Sequence, residues 1–116
     1  MTAEELVRNY LISAELSVGD KVYLKVPESA PEEYVLIDKI GGNVNNHIRM
    51  SRLDIQSRSD VSLARAMDMN EEIKEAMENM ADESDEIFGA HLIYDNNFTN
   101  PDRKQYRYQV GYTIYQ

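Results

Sequence analysis

The chain has 116 residues, of which 42% are apolar, a length and content that predict one folded domain over residues 1–116 rather than a disordered chain. Its net charge of −9 argues against the basic surface with which nucleic-acid-binding proteins neutralise phosphates. The absence of cysteine excludes disulfide bonds, thiolate metal sites and a cysteine nucleophile.

The N-terminal segment carries the signals of a helix. Residues 2–5, Thr-Ala-Glu-Glu, have the spacing of a capping box, and apolar residues then recur at helical intervals as far as Ala14. The pattern predicts a first helix over about residues 3–15. The two acidic residues at its start replace the basic residues of a secretory leader, and no apolar run is long enough to cross a bilayer. We therefore expect neither a leader nor a membrane span.

Alternating apolar residues then indicate the first strand. Val22, Leu24 and Val26 alternate with polar or amphipathic neighbours, which is typical of a half-buried strand. Residues 34–40 are apolar on both faces. They predict a second strand, either in the middle of a covered sheet or against another subunit.

A glycine-rich segment separates this strand from the next one. We expect Gly41 and Gly42, with the asparagines that follow, to end the second strand in a flexible hairpin tip. Residues 47–57 then form the third strand. Its apolar alternation changes phase between Met50 and Leu53, which predicts a bulge or a bend there.

A long second helix follows, capped by Ser59 or Asp60 and ending near Ala81. Residues 68–86 hold nine acidic residues against one lysine, which is −8 of the net −9. We interpret these charges as a solvated helix face, with a partner-facing role as the alternative. The predicted apolar stripe, interrupted by Asn70, consists of Leu63, Ala66, Met67, Ile73, Met77 and Met80.

Two further strands complete the predicted fold. Residues 87–94 form one, with Phe88, Ala90, Leu92 and Tyr94 on one side. Residues 106–114 alternate most regularly, and we interpret their tyrosine stripe as a packed sheet face rather than a base-stacking platform. The element order α-β-β-β-α-β-β predicts an α+β fold, with two helices packed on an antiparallel or mixed sheet of about five strands.

The chain shows no constellation of residues that points to catalysis. His47 and His91 are the only histidines, and neither has a second potential ligand residue at a spacing typical of metal sites. Calcium-loop and phosphate-loop patterns are also missing. We therefore expect no enzymatic activity, no catalytic residues, no metal and no cofactor. Phe98, an aromatic residue inside a polar loop, is either an anchor for another protein or a plug that pins the loop to its own domain.

Two segments near the C-terminus resemble a known signature. Residues 94–99 (Tyr-Asp-Asn-Asn-Phe-Thr) and 104–109 (Lys-Gln-Tyr-Arg-Tyr-Gln) are similar to the C-terminal signature of the tail terminator, or tail completion, proteins of bacteriophages and prophages with long, non-contractile tails. Residues 31–37, 53–57 and 70–77 look like the middle strands and the long helix of that family. Small neck and head-completion proteins of phages have a similar size and architecture, and they are the alternative assignment.

The resemblance implies a structural role in the virion. Members form a ring, generally of six subunits, at the head-proximal end of the tail tube, where they stop tube polymerisation and provide the surface to which the head docks. The implied partners are other copies of the chain, the major tail tube protein and a head-completion or connector protein. Assembly would take place in the host cytoplasm, with no membrane partner and no specific nucleic-acid binding, although DNA passes through the ring.

A ring requires two different complementary patches on each subunit. The acidic residues 68–86 and the basic residues Arg49, Arg52, Arg58, Arg103, Lys104 and Arg107 offer such a pair, and some of the acids could instead line the channel and repel DNA. The rival function is an acidic decoy that mimics DNA and occupies a host DNA-binding protein. The candidate interface residues are Tyr94, Asn97, Phe98, Arg103, Lys104, Arg107, Glu75, Glu78, Gly41 and Gly42.

Overall fold

Both helices begin at a side-chain cap in the computed structural model, which describes residues 1–102 and 104–116. Helix α1 (Ala3–Ser13) has Thr2 as its N-cap, and the predicted capping box with Glu5 is present. Helix α2 (Leu63–Glu83) is capped by Ser62, whose Oγ accepts a hydrogen bond from the Arg65 amide. The predicted caps of α2 were wrong, because the Ser59 hydroxyl is used by the turn before the helix, where it accepts from the Val61 amide.

Five strands form one mixed sheet in the spatial order β1-β2-β3-β5-β4. Strand β1 runs parallel to β2, and the other three pairings are antiparallel. The predicted α+β class, the five-stranded mixed sheet and the element order α-β-β-β-α-β-β are therefore confirmed. The strands are β1 (Val22–Tyr23), β2 (Glu33–Asn45), β3 (Ile48–Ser59), β4 (Gly89–Asn97) and β5 (Tyr106–Tyr115).

The hydrophobic core lies between the helices and one face of the sheet, which we call the inner face. Ile37 pairs with Ile55, and Leu53 pairs with Tyr112, so apolar side chains from β2, β3 and β5 adjoin across the inner face. The tyrosine-rich strand β5 thus contributes Tyr112 to the core, as predicted for a packed face. Because side chains alternate along a strand, the intervening residues lie on the opposite, outer face.

The buried stripe of α2 is rotated from the predicted one. Met69 and Asn70 are buried, whereas Leu63 and Met67, which we expected in the stripe, are exposed. Asn70 tolerates burial because its Nδ2 donates a hydrogen bond to Asp95 Oδ1 at 2.8 Å. The polar residue that seemed to interrupt the stripe therefore joins helix to sheet.

The first strand is much shorter than the alternation predicted. Only Val22 and Tyr23 pair with β2, and Leu24 and Val26 are exposed. Val22 is fully buried. The period-2 pattern was misleading because alternation alone does not determine whether a neighbouring strand is available for hydrogen bonding.

The hairpin between β2 and β3 turns later than we expected. Strand β2 continues through Gly41 and Gly42, and the two-residue turn is Asn46-His47, with φ angles of 51° and 67°. Two successive positive φ angles match the tight turns that suit the twist of paired strands. The predicted break at the glycines was therefore wrong.

A bulge does occur at the predicted level of the hairpin, but on the other strand. The register passes from Lys39 paired with Leu53 to Gly41 paired with Arg52, so Ile40 is the extra residue and lies in β2. The pairing of β3 with β5 is continuous from Met50 to Ser59. The phase change read in β3 is therefore not a bulge in that strand: Met50 lies on the outer face, and Leu53 and Ile55 lie on the inner face.

A second bulge reverses the side-chain alternation in β4. Leu92 pairs with Tyr112, Tyr94 pairs with Gly111, and Ile93 is the extra residue between them. Tyr94 therefore lies on the outer face, whereas we had predicted it on the same side as Leu92. Phe88, assigned to that same side, precedes the strand and is 67% exposed.

Candidate interaction surfaces

Tyr94 is held flat across the outer face of the sheet. Its ring lies over Gly111, where a Cβ atom would overlap the ring. Its hydroxyl donates a hydrogen bond to the Asp54 carboxylate and accepts one from Gln109 Nε2 at 2.6 Å. Burial and the bond to Asp54 both raise the pKa of Tyr94. Tyr94 thus ties the edge strand β4 to β5 and β3, which is a structural task within the chain.

Phe98 packs against its own chain. Its ring meets the Tyr94 ring edge-to-face with 6.2 Å between the centroids, and the Arg107 guanidinium lies 5.8 Å above it. Thr99 Oγ1 accepts a hydrogen bond from the Arg107 amide, and Asn97 Oδ1 accepts one from the Thr99 amide. The contacts of Phe98 therefore match its interpretation as a plug for its own loop, and 40% of the residue is exposed.

Two of the basic interface candidates are direct neighbours on the outer face. Arg58 in β3 and Arg107 in β5 are paired across the strands. Arg58 Nε and Nη2 donate to Gln56 Oε1 at 2.9 and 2.6 Å, and Nη1 donates to the Tyr34 hydroxyl at 3.0 Å. A shallow cavity of about 280 Å³ lies beside the pair. It is lined by Arg58, Phe98, Asn100, Gln105 and Arg107.

The remaining basic candidates are not part of this pair. Arg52 is exposed further along the outer face of β3, and Arg49 is exposed near the hairpin turn, where its backbone pairs with Gln116. Lys104 is exposed in the loop between β4 and β5. Arg103 lies outside the described residues. The structure therefore separates the predicted basic patch into a central arginine pair and dispersed charges.

The acidic residues of α2 divide into two groups with different surroundings. Glu72 accepts hydrogen bonds from the Ser17 amide and hydroxyl at 3.0 and 2.6 Å, and Glu83 accepts one from the Tyr10 hydroxyl at 2.8 Å. Burial and Glu83 together raise the pKa of Tyr10 to about 12. These two acids attach α2 to α1 and the segment that follows it.

The second group of acids faces solvent, as the interpretation of a solvated face predicts. Glu75 and Glu78 are exposed on the side of α2 opposite its buried stripe. Neither forms an ion pair with any residue in the described part of the chain. Glu71, Glu75, Glu78 and Asp82 share this side.

A lysine on α2 connects the helix to β4. Lys74 Nζ lies 2.6 Å from Asp95 Oδ2 and 2.7 Å from Glu71 Oε1, and the hydrogen bonds to these two acids raise its pKa. Burial acts to raise the pKa of Asp95, but the hydrogen bonds from Lys74 and Asn70 outweigh it, so that pKa lies below its usual value. This cluster fixes the helix layer over the inner face.

The two glycine candidates lie within the β2–β3 hairpin rather than at its tip. A Cβ atom at Gly42 would lie 2.7 Å from the Met50 carbonyl oxygen, so close backbone packing requires glycine there. Gly41 has open space around its Cα. Gly41 and Gly42 are thus distant from the arginine pair and from the acidic face.

Sequence reasoning missed the apolar end of this hairpin. Val44 is 68% exposed and Ile48 is 44% exposed, on either side of the turn. Beside Ile48 a mostly apolar cavity of about 320 Å³ extends past Met50 to Tyr115 in β5. The available signal was an asparagine-rich turn flanked by β-branched residues, which the two glycines obscured. The hairpin makes the chain elongated, with dimensions of 45 × 26 × 25 Å.

Over residues 1–102 and 104–116, no group of three or more His, Cys, Asp or Glu side chains is arranged to hold a metal ion. Within the same residues, no helix combines the length and the apolar character required to cross a membrane. His47 lies in the hairpin turn and His91 is exposed in β4, far apart along the sheet.

A solved virion component has the same fold. The chain superposes on a protein of the structure titled "Virion of native gene transfer agent (GTA) particle" with a TM-score of 0.70 and 14% sequence identity. The superposition covers 97% of this chain and 92% of that one. No protein-family model matches the sequence, and no curated protein matches it. The similarity at this low identity therefore concerns the fold, over nearly the whole length of both chains.

Proposed function

We propose that this protein is a structural component of a phage-like virion and acts there as a tail terminator. In this role it forms a ring at the head-proximal end of the tail tube, stops tube polymerisation and offers the surface to which the head docks. The observation that carries the proposal is the fold shared with a virion protein across 97% of the chain. The role is structural, and it requires no catalytic residue, metal or cofactor.

The segments that resemble the tail-terminator signature support the finer assignment. Residues 94–99 and 104–109 are adjacent in space, since Asn97 pairs with Tyr108 and Phe98 packs against Arg107. A motif split by a loop in the sequence thus forms two adjacent segments in the fold, with alternate strand residues on opposite faces of the sheet. The two segments include five of the candidate interface residues, and Phe98 contacts two of the others, Tyr94 and Arg107. The five are Tyr94, Asn97, Phe98, Lys104 and Arg107.

The distribution of charge fits a ring. A closed ring needs a heterologous interface, in which one patch of a subunit meets a different patch of the next. The unpaired acids lie on the helix layer and the arginine pair lies on the outer face of the sheet, which are opposite sides of the two-layer fold. Other copies of the chain are the first expected partners. The resemblance to tail terminators implies a ring of six of them. The tail tube protein and a head-completion or connector protein would contact the ends of that ring.

Native mass spectrometry over a concentration series, with negative-stain imaging of the same samples, tests ring formation. A closed ring with a central hole is the expected result. Deletion of the gene from the phage or prophage tests the role independently of assembly in solution. Because a terminator stops polymerisation, the lysate should contain tubes of uncontrolled length. Tails of normal length beside unattached filled heads would instead assign the protein to the neck, as a head-tail completion protein.

The exposed acids on α2 are the one observation that favours the decoy function. A DNA mimic needs carboxylates spread over an extended surface, whereas here Glu75, Glu78 and their neighbours occupy one side of a single helix. Competition between the purified protein and DNA for a basic resin or a nuclease separates the two functions. If the monomer competes effectively with DNA, the decoy function is supported. If it does not compete, the decoy function is excluded.

A further inference from the structure

The arginine pair on the outer face has no anionic partner in the part of the chain that the structure describes. Arg58 and Arg107 are directly opposite each other across β3 and β5, an arrangement in which like charges destabilise a sheet. No carboxylate among residues 1–102 and 104–116 forms an ion pair with either guanidinium. A carboxylate from outside the chain would therefore meet two positive charges that no ion pair within the described residues neutralises.

Both guanidinium groups are positioned before any ligand arrives. Three hydrogen bonds to neutral acceptors hold Arg58, which leaves two of the five N–H donors of its guanidinium free. Arg107 is supported by the Phe98 ring, and its buried Nε has no hydrogen-bond partner in the described chain. Guanidinium groups fixed in this way suit carboxylate oxygens, because their N–H donors form a planar fork.

The acidic side of α2 presents two carboxylates at a matching spacing. Glu75 and Glu78 are three residues apart on a helix, which places their Cβ atoms about 5–6 Å apart, and paired residues on adjacent strands are about 4.5–5.5 Å apart. Both glutamates are exposed and unpaired among the described residues. The Cβ atoms of the two glutamates thus have about the spacing of the Cβ atoms of Arg58 and Arg107. The two guanidiniums themselves lie over Tyr34 and Phe98.

We infer that the Arg58–Arg107 pair of one copy binds the Glu75 and Glu78 carboxylates of a second copy. The two patches lie on opposite layers of the fold, so one molecule cannot bring them together, and a contact between copies repeats head to tail. Such a contact closes into a ring when its rotation permits. The inference rests on the proposed function and names the residues of its subunit interface.

Two variants with complementary defects test the inference. The first carries Arg58→Gln and Arg107→Gln, and the second carries Glu75→Gln and Glu78→Gln. Each should self-associate only at a concentration at least about tenfold above that of the wild type, because one side of every interface is lost. An equimolar mixture should form a heterodimer without rings, since the intact acids of the first variant can bind the intact arginines of the second. Native mass spectrometry distinguishes these species.

Matched controls remove the same charges elsewhere. Lys25→Gln with Lys39→Gln, and Glu28→Gln with Glu32→Gln, alter exposed residues outside the two patches and should assemble as the wild type does. Thermal unfolding of every variant checks that it is folded. The glutamate variant lies wholly on an exposed helix side, so it remains a valid test even if the arginine variant unfolds.

The outcomes separate this inference from the proposed function. Wild-type rings that persist unchanged in the glutamate variant overturn the inference and leave the ring intact. A mixture without heterodimers also overturns it. Wild-type chains that never self-associate, at low or high salt, overturn it too, and tail length in the deletion lysate then decides the proposed function. DNA adsorption is measured for the wild type and the arginine variant as well. If the arginine variant self-associates like the wild type but no longer adsorbs to DNA, the arginine pair binds phosphate groups and the inference is wrong.

Discussion

The two faces of the sheet bury their side chains by different means. On the inner face, Leu53 and Ile55 are fully buried under the two helices, and dispersion and the hydrophobic effect stabilise the packing. On the outer face, Gln109 and Thr113 are 9% and 7% exposed, although both helices pack on the other side. There a network of long polar and aromatic side chains lies flat over its neighbours. Because neither α1 nor α2 covers the outer face, charged groups such as Arg58 and Arg107 stay near the protein surface, where a second molecule can contact them.

The largest expected effect is on the inner face. Ile55→Ala removes a fully buried side chain from the central strand β3, and we expect the free energy of unfolding to fall by about 3 kcal/mol. Urea denaturation followed by circular dichroism measures the change. Val44→Ala, at a 68% exposed position of the same hairpin, is the control and should change stability little. Equal losses in the two variants would contradict the assignment of the core to the inner face.

On the outer face, the sharpest test is at Gly111. A Cβ atom there overlaps the Tyr94 ring, so Gly111→Ala must displace the ring and break its bonds to Asp54 and Gln109. We expect a loss of about 2 kcal/mol from overpacking and lost hydrogen bonds. In a Tyr94→Ala variant, which lacks the ring, Gly111→Ala should change the free energy of unfolding very little. Additive losses in the double variant would show that the ring does not occupy this position.

A smaller effect concerns the ion pair that fixes the helix layer. Because its pKa is lowered in the folded chain, Asp95 contributes stability above its unfolded pKa and loses that contribution as the pH falls through the lower, folded pKa. Asp95→Asn should therefore cost about 1 kcal/mol at neutral pH and progressively less under acidic conditions. Urea denaturation across the pH range measures the difference between variant and wild type. A difference independent of pH would rule out the charged form as its source.

The smallest effect distinguishes the observed hairpin tip from the predicted one. His47 has a φ of 67°, which strains a residue with a Cβ atom, so His47→Gly should be neutral or stabilising by about 0.5 kcal/mol. Gly42→Ala should be destabilising, because its Cβ would lie 2.7 Å from the Met50 carbonyl oxygen. Thermal unfolding compares the two variants. If His47→Gly were the more destabilising of the two substitutions, the turn would lie at the glycines instead.

Local patterns predicted the elements better than their pairing. The capping box of α1 and the alternation of β5 are present as expected, because each depends on residues close together in the sequence. The bulges at Ile40 and Ile93 could not be located in this way, since a bulge is defined by the register with a partner strand. The side of the sheet on which Tyr94 lies depended on that register.

The candidate site shows the same division. Phe98 and the signature segments stood out in the sequence, and the structure places the two segments side by side, with Phe98 against Tyr94. The opposition of Arg58 and Arg107 was not predictable, because the two residues are far apart along the chain and meet only through the β3–β5 ladder. Whether the candidate residues contact a neighbouring subunit stays a prediction.

The sequence by itself determined the α+β class, the order of the elements and the concentration of acidic charge on one helix, since these follow from periodicity and composition over short windows. Only the tertiary structure decided where β2 turns, which side of α2 is buried and which charges become neighbours. Those features depend on contacts between distant segments, and burial against a partner element outweighs local propensity there. Arg58 and Arg107 are neighbours on the outer face only because β3 and β5, which are separated in the sequence by α2 and β4, are adjacent in the sheet.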